Sequence, residues 1–473
     1  LPRGNGLKGD ASLVQSIADD FKLELNVLDT DLAKTWTGKK PQILVDLSTD
    51  TWRSHGDTIE RVEIFAQNLL DDNSLTPGPK SSLVLENIAS TISPKLNSCG
   101  PSEIKGLISA LKGTFVPPGP SGAPTRGRLD VLPTGRNFFS VDSRAIPTPT
   151  AWAIGWKSAN LLLDKHLQDN GDCLRTILIT AWGTSNMRTG GDDIAQCLAL
   201  MGVKPKWEDT SKRVIGFEVL PLSILDRSRV DVTLRISGFF RDAFPQLITL
   251  VDSASRAVMS LDEPEDMNPA AYRFNSGEDS SRVYGSKPGA YGAGLQALID
   301  ERLWGSRADL AAAYLEWGSY AYGKNSNGEN KRSAFEARLA QVEATAQNQD
   351  NREHDILDSD DYYQFEGGAS AAISTLQGRE RPIYHNDLSR PERPVIRTLD
   401  EEISRVVRSR VINPKWINGV KRHGYKGAFE MAATLDYLFA FSATTNAVKS
   451  HHFDLVYQAY IEDSETRVFI QDH

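Results

Sequence analysis

Cysteine is scarce in this sequence. Three in 473 residues, Cys99, Cys173 and Cys197, stand far apart with no CxxC spacing. That argues against a disulfide framework or a thiolate zinc site and for a reducing, cytoplasmic setting. No apolar run approaches the ~20 residues that cross a bilayer, and the first thirty residues lack a signal-peptide core, so a soluble chain with no membrane partner is expected. Positive charge is in deficit: 53 Lys and Arg face 62 Asp and Glu, giving a formal charge of -9 and a pI near 5.5. A general nucleic-acid surface is therefore not expected, and an anionic ligand would need a local basic patch. Neither GxxxxGK[ST] nor GxGxxG occurs, so the chain should not hydrolyse ATP itself. Without a GxSxG elbow, a Ser-His-Asp hydrolase is a poor reading. The chain opens on Leu1 rather than Met, as a processed chain or a piece of something longer would.

What is present is globular. At 40% hydrophobic, the chain is too long for a single core, and a multidomain α/β and α+β fold is expected. Apolar residues at three- and four-residue steps (Ile59, Val62, Phe65, Ala66, Leu69) predict a helical unit over 1–116, with Ser102 capping a later helix. A Pro/Gly linker follows over 117–128. Strands at 175–183, 213–221 and 229–237, with helices at 152–167, 192–202 and 241–262, predict an α/β domain over 129–265. From 266 to 473 a mainly helical domain is predicted, with helices at 306–321, 332–346, 368–377, 398–411 and 425–443. One short strand, RPIYHND, interrupts them.

Several segments carry chemistry. AWGTSNMRTGGDDIAQ (181–196) leaves a strand and opens a helix, where Thr184, Ser185, Asn186 and Arg188 can hold an anionic group. Asp192 and Asp193 read as helix caps. LRISGFFRDAFP (234–245) brings Arg235, Arg241 and Asp242 together, an arrangement suited to forked carboxylate recognition or to a local ion pair. The glycine-rich VYGSKPGAYGAG (283–294) carries Lys287. YHNDLSRPERP (384–394) sets His385 and Asp387 beside Arg390, Glu392 and Arg393, so imidazole and carboxylate suit an intermediate metal while arginines hold acidic substituents. In QNQDNREHDILDSDDYYQFEGG (347–368), a helical reading puts Asp350, Glu353 and His354 on one face. The expected polar site is Glu353, His354 and Asp358, with His385 arriving from a neighbouring strand. Glu353, His354 and His385 would be its metal ligands, and a structural acidic turn is the bland alternative.

These segments, together with LPTGRNFFSVD, NPKWINGVKRHGYKGAFEM and FSATTNAVKSHHFD, resemble the large subunit of cobaltochelatase and, more distantly, that of magnesium chelatase. The likeness is dense over about 129–470. It implies Co2+ insertion into a corrin-type tetrapyrrole, hydrogenobyrinic acid a,c-diamide. ATP and Mg2+ would be used by separate AAA+ ATPase subunits rather than by this chain. The resemblance also implies that Arg188, Arg235, Arg241, Lys287, Arg390 and Arg393 include groups holding the ring's carboxylates. Family members are much longer, and a segment of the His-Gly-x-x-Glu-Trp-Leu-Pro-Gly type is absent here, so a C-terminal portion, inactive alone, is expected. A noncatalytic tetrapyrrole-binding scaffold and a magnesium-type subunit stay open as alternatives.

Overall fold

The computed structural model describes residues 12–473 except 28–29, 31, 33, 72–74, 118, 120–128, 137–140, 210, 352–353 and 392. Nearly all of the expected linker lies outside the described residues. Two compact units form, Leu1–Val141 and Asp142–His473.

The first unit is helical, as its periodicity predicts. The helix His55–Asp71 buries Ile59, Val62, Phe65, Ala66 and Leu69 on one face. That face packs with Leu13, Val14, Ile17 and Val84. Burying each such side chain contributes about 1.5–3 kcal/mol, which is what holds a helix of modest intrinsic propensity in place. Ser102 is not a cap, because its helix already begins at Cys99.

The second unit is built on one sheet of eight strands in the order β10-β9-β8-β1-β4-β5-β6-β7. These are β1 (Thr176–Ala181), β4 (Asp231–Ile236), β5 (Val283–Gly285), β6 (Tyr320–Gly323), β7 (Ser326–Asn330), β8 (Ala344–Gln349), β9 (Ile383–Asp387) and β10 (Val395–Thr398). β2 (Val203–Trp207) and β3 (Val214–Val219) pair separately as a hairpin. Because strands from both sides of residue 265 share the sheet, 129–265 and 266–473 are not separate domains. Five strands, β9, β8, β1, β4 and β5, run parallel. Helices cover both faces, so β1 is buried at all six positions, which explains its unbroken apolar run.

The expected helix over 332–346 is half wrong: it stops at Leu339, and Ala344–Gln349 is the strand β8 between β1 and β9. Its sequence, ATAQNQ, carries no apolar alternation, yet all six residues are buried. The amides of Asn348 and Gln349 are paired sideways, Asn348 with Asp193 and Asn386 and Gln349 with His385 and the His354 carbonyl, a pairing that periodicity cannot register.

Candidate functional site

The topology fixes where a ligand can sit. From β1 the chain proceeds outward to β4 and β5 on one side, and later to β8 and β9 on the other. The switch point therefore lies between the carboxyl ends of β1 and β8, where open α/β sheets form a crevice. The segments after the five parallel strands deliver Arg188 (after β1), Arg241 (β4), Lys287 (β5), His354 (β8) and Arg390 and Arg393 (β9) to this edge.

At the crevice itself Arg188, on the last turn of the helix Gly183–Thr189, meets Asp350, the residue after β8. The fork is bidentate, Nε to Oδ2 at 2.8 Å and Nη2 to Oδ1 at 2.9 Å. The Arg188 side chain keeps 34% of its surface exposed while Asp350 keeps 7%, so the guanidinium faces solvent on one side. A cation held in this way can exchange its internal carboxylate for one on a ligand.

Beneath it lies a polar layer. Asp193 is no solvent-facing cap: it is buried, and its Oδ2 accepts from Asn186 Nδ2 at 2.7 Å and Ser185 Oγ at 3.2 Å. Its Oδ1 accepts from Asn348 Nδ2 at 3.0 Å, tying the β1 turn to β8. Burial pushes the Asp193 carboxyl up to about 6, only partly opposed by these donors. The spacing Ser-Asn-x₆-Asp was visible in the sequence, but the partner on β8 was not.

On the opposite face of β8, Gln349 Oε1 lies 2.8 Å from His385 Nε2, and Glu366 Oε1 lies 3.4 Å from His385 Nδ1. Both ring nitrogens of His385 thus face protein oxygens, and the residue is buried. Among the described residues His385 joins no group of three potential metal ligands, and its partners are Gln349 and Glu366. His354 is exposed on the loop after β8 rather than on a helix face. Glu353 lies outside the described residues. Among the described residues no three of His, Cys, Asp and Glu gather as a metal-binding group. Between the two histidines stands Tyr362, its ring 6.0 Å from that of His354 and 6.2 Å from that of His385.

The rest of the acidic tract is dispersed among partners. Asp355 receives a fork from Arg410 at 2.6 and 2.7 Å, and Asp358 sits 3.2 Å from the same guanidinium. Asp358 also accepts the Asp355 backbone N–H at 2.8 Å. Burial and then the Asp355 charge raise its pKa. Asp360 accepts from Gln364 at 2.8 Å. This stretch is largely a clamp, not a ligand set.

Two expected ring-binding arginines change role. Arg235 is fully buried on β4 between Phe365 (4.9 Å) and Tyr314 (5.5 Å), because its strand position points into the core. Arg241 forks Asp242 at 2.7 and 2.9 Å and donates to the carbonyls of Lys287 (2.7 Å) and Ala290 (3.0 Å). It therefore positions the glycine-rich loop. Lys287 itself is exposed, and Arg390 and Arg393 are half-buried. Gly294 of that loop has φ +84°, and an added Cβ would collide with the Trp317 ring, so the loop's close packing requires glycine.

Known proteins are similar to this chain. The chain is 55% identical over its full length to the aerobic cobaltochelatase subunit CobN of a Sinorhizobium species. It is 53% identical to that of Pseudomonas aeruginosa. Over 78% of the chain it is 33% identical to the chloroplastic magnesium-chelatase subunit ChlH of Oryza sativa subsp. japonica, of which it covers 28%. A solved structure, the catalytic subunit of cobaltochelatase from Mycobacterium tuberculosis, matches with a TM-score of 0.85 at 40% identity over 99% of this chain. The chain spans about 40% of the length of the two CobN relatives and of that solved chain. The CobN/magnesium chelatase family model matches residues 3–473, and the chain belongs to that family.

Proposed function

We propose that this chain is the part of an aerobic cobaltochelatase large subunit that forms one wall of the tetrapyrrole site, working with separate AAA+ ATPase subunits that consume ATP and Mg2+. The observation carrying this reading is the fork at the β1/β8 switch point, in which Arg188 stays partly exposed over a buried Asp350, in a chain whose CobN relatives are its more identical ones. Inserting Co2+ into a corrin-type ring requires two ring N–H protons to leave and the ring to be held flat and dry. Arg188, with Lys287, Arg390 and Arg393 on the neighbouring loops, holds the ring's acidic side chains. A forked guanidinium reads a planar carboxylate better than an ammonium does. Asp193, Asn186 and Asn348 fix the turn that presents Arg188. His354, exposed on the loop after β8, stands at the rim of this wall, and Co2+ is the substrate metal.

Absorbance titration of the purified chain with hydrogenobyrinic acid a,c-diamide tests the reading. Saturable binding that weakens in Arg188→Lys is the expected result, and no binding by the chain or by the full-length subunit sinks it. ATP hydrolysis or Co2+ insertion by the isolated chain would overturn its place as one part of a multisubunit machine.

A further inference from the structure

The pair His385 and Glu366 lies deeper than the crevice, and neither the arginine clamp nor the rim loop explains it. Gln349 Nε2 donates to the carbonyl of His354, so its amide cannot turn over without setting two carbonyl oxygens against each other. Its Oε1 is thereby aimed at His385 Nε2, 2.8 Å away, and that nitrogen carries a proton. The remaining nitrogen, Nδ1, faces Glu366 Oε1 at 3.4 Å. With no further proton, a nitrogen lone pair would oppose a carboxylate oxygen, and one added proton turns that repulsion into a hydrogen bond. The contact is built to be filled by a single proton.

Glu366 is brought there by a local irregularity. The helix that begins at Asp360 opens into a wide π-type turn over Tyr363–Gly367, then continues as Gly368–Gln377. Such turns cost backbone hydrogen-bond geometry and often mark working sites. Glu366 is 3% exposed, and among the described residues its Oε2 has no hydrogen-bond partner. A buried carboxylate oxygen left without a donor is a spare proton acceptor.

The charged neighbours are matched among themselves. Arg397 on β10 donates to Asp387 of β9 and to Glu402 of the helix Leu399–Val406, both at 3.3 Å. Arg405 donates to Glu402 at 2.8 Å. Burial opposes charging of His385, but Glu366 first, then Glu402 and Asp387, outweigh it and raise its pKa. The Tyr362 ring stands between the rim and this interior, 6.0 Å from the His354 ring and 6.2 Å from the His385 ring. Burial raises its pKa, so it remains a phenol able to donate and accept at once.

We propose that Glu366 and His385 are the buried acceptor of one proton released by the ring, with Tyr362 as the relay. This rests on the ring occupying the β1/β8 crevice. As Co2+ enters, an N–H bond breaks and its electron pair stays on the ring nitrogen as the metal's ligand. The released proton passes to the Tyr362 oxygen while the phenol's own proton moves to the Glu366–His385 contact. The second ring proton leaves to solvent at the rim, so two protons depart for one divalent cation. The pair then returns its proton outward through Tyr362.

The test uses full-length subunit with its ATPase partners, Co2+ and hydrogenobyrinic acid a,c-diamide. Glu366→Gln is expected to lower kcat by about 10²-fold, the lower range for general acid–base catalysis, with ring Kd unchanged. The acid-side fall of the kcat–pH profile should disappear with it. Glu366→Asp restores part of the rate, and Tyr362→Phe lowers kcat about tenfold with the same flattening of the profile. A Glu366→Gln subunit with wild-type kcat, or one merely less heat-stable with the acid limb intact, overturns the proposal. If Glu366→Gln does not fold, Tyr362→Phe decides, and an unaltered pH profile in it overturns the proposal. Failure of the wild-type subunit to bind the ring at all defeats the crevice reading as well. That outcome is read from the titration before any variant is made.

Discussion

Two buried carboxylates at opposite ends of the same parallel strands are treated in opposite ways. Asp231 opens β4 at the amino edge of the sheet, within reach of Arg282 Nε (2.7 Å), Arg338 Nη1 (2.6 Å) and Arg273 Nη1 (3.4 Å). Burial disfavours its charge, but the Arg282 and Arg338 guanidinium groups outweigh burial and hold its carboxyl well below the usual range. Asp193 at the carboxyl edge has only amides, a hydroxyl and a backbone N–H, and burial pushes it up to about 6. Equal burial with different partners gives a permanently charged structural anchor at one edge and a nearly neutralisable group at the other. The amino edge is arranged for stability, the carboxyl edge for exchange.

The largest expected effect comes from the anchor. Asp231→Asn leaves the buried Arg282 and Arg338 guanidinium groups with Glu278 as their one shared carboxylate among the described residues and should lower the unfolding free energy of the chain by about 3–5 kcal/mol in urea titration at pH 7. A loss under ~1 kcal/mol would erase the distinction between the two edges. Asp193 should show its difference through pH. Its folded pKa lies above the unfolded 3.8, so the native state binds the extra proton, and its contribution falls as pH rises from about 4 to about 6 and is flat above. The gap amounts to about 3 kcal/mol. Unfolding measured against Asp193→Asn at pH 4, 5, 6 and 7 should show wild type losing ground by that amount, then levelling. The depressed Asp231 gives the opposite slope, its contribution being full above pH ~4 and lost as pH falls further.

Arg188→Lys keeps the charge and loses the fork, so ring affinity in the absorbance titration should fall by about 1–3 kcal/mol with little change in stability. Arg235→Lys should do the reverse, costing stability through a buried ammonium while reporting on the ring only indirectly. If the two variants behave alike, the crevice has been drawn in the wrong place. The smallest effect is expected at Lys287, exposed beyond β5: Lys287→Ala should leave stability within ~0.5 kcal/mol and weaken ring binding less than Arg188→Lys does.

The residues alone determined the apolar strand β1, the helices with clean three- and four-residue periods, and the strand-to-helix turn that carries Arg188. In each of these, one local period or one turn states its own burial. Family resemblance likewise followed from long ordered motifs. Tertiary structure decided what local pattern could not express. β8 looks polar until Asp193 beyond β1 and Asn386 and His385 on β9 pair with its Asn348 and Gln349 amides, so a helical reading misplaces Asp350 and His354. Arg235 and Arg188 both lie near the carboxyl edge of the sheet, yet Arg235 within β4 is turned into an aromatic core while Arg188, on the helix after β1, meets Asp350, a difference that folding and not sequence pattern decides. The acidic tract resembled a ligand set because sequence counts charges without their partners. Arg188 and Arg410, distant along the chain, are what turned Asp350, Asp355 and Asp358 into clamps, since only folding brings opposite charges close enough to decide which carboxylates remain available.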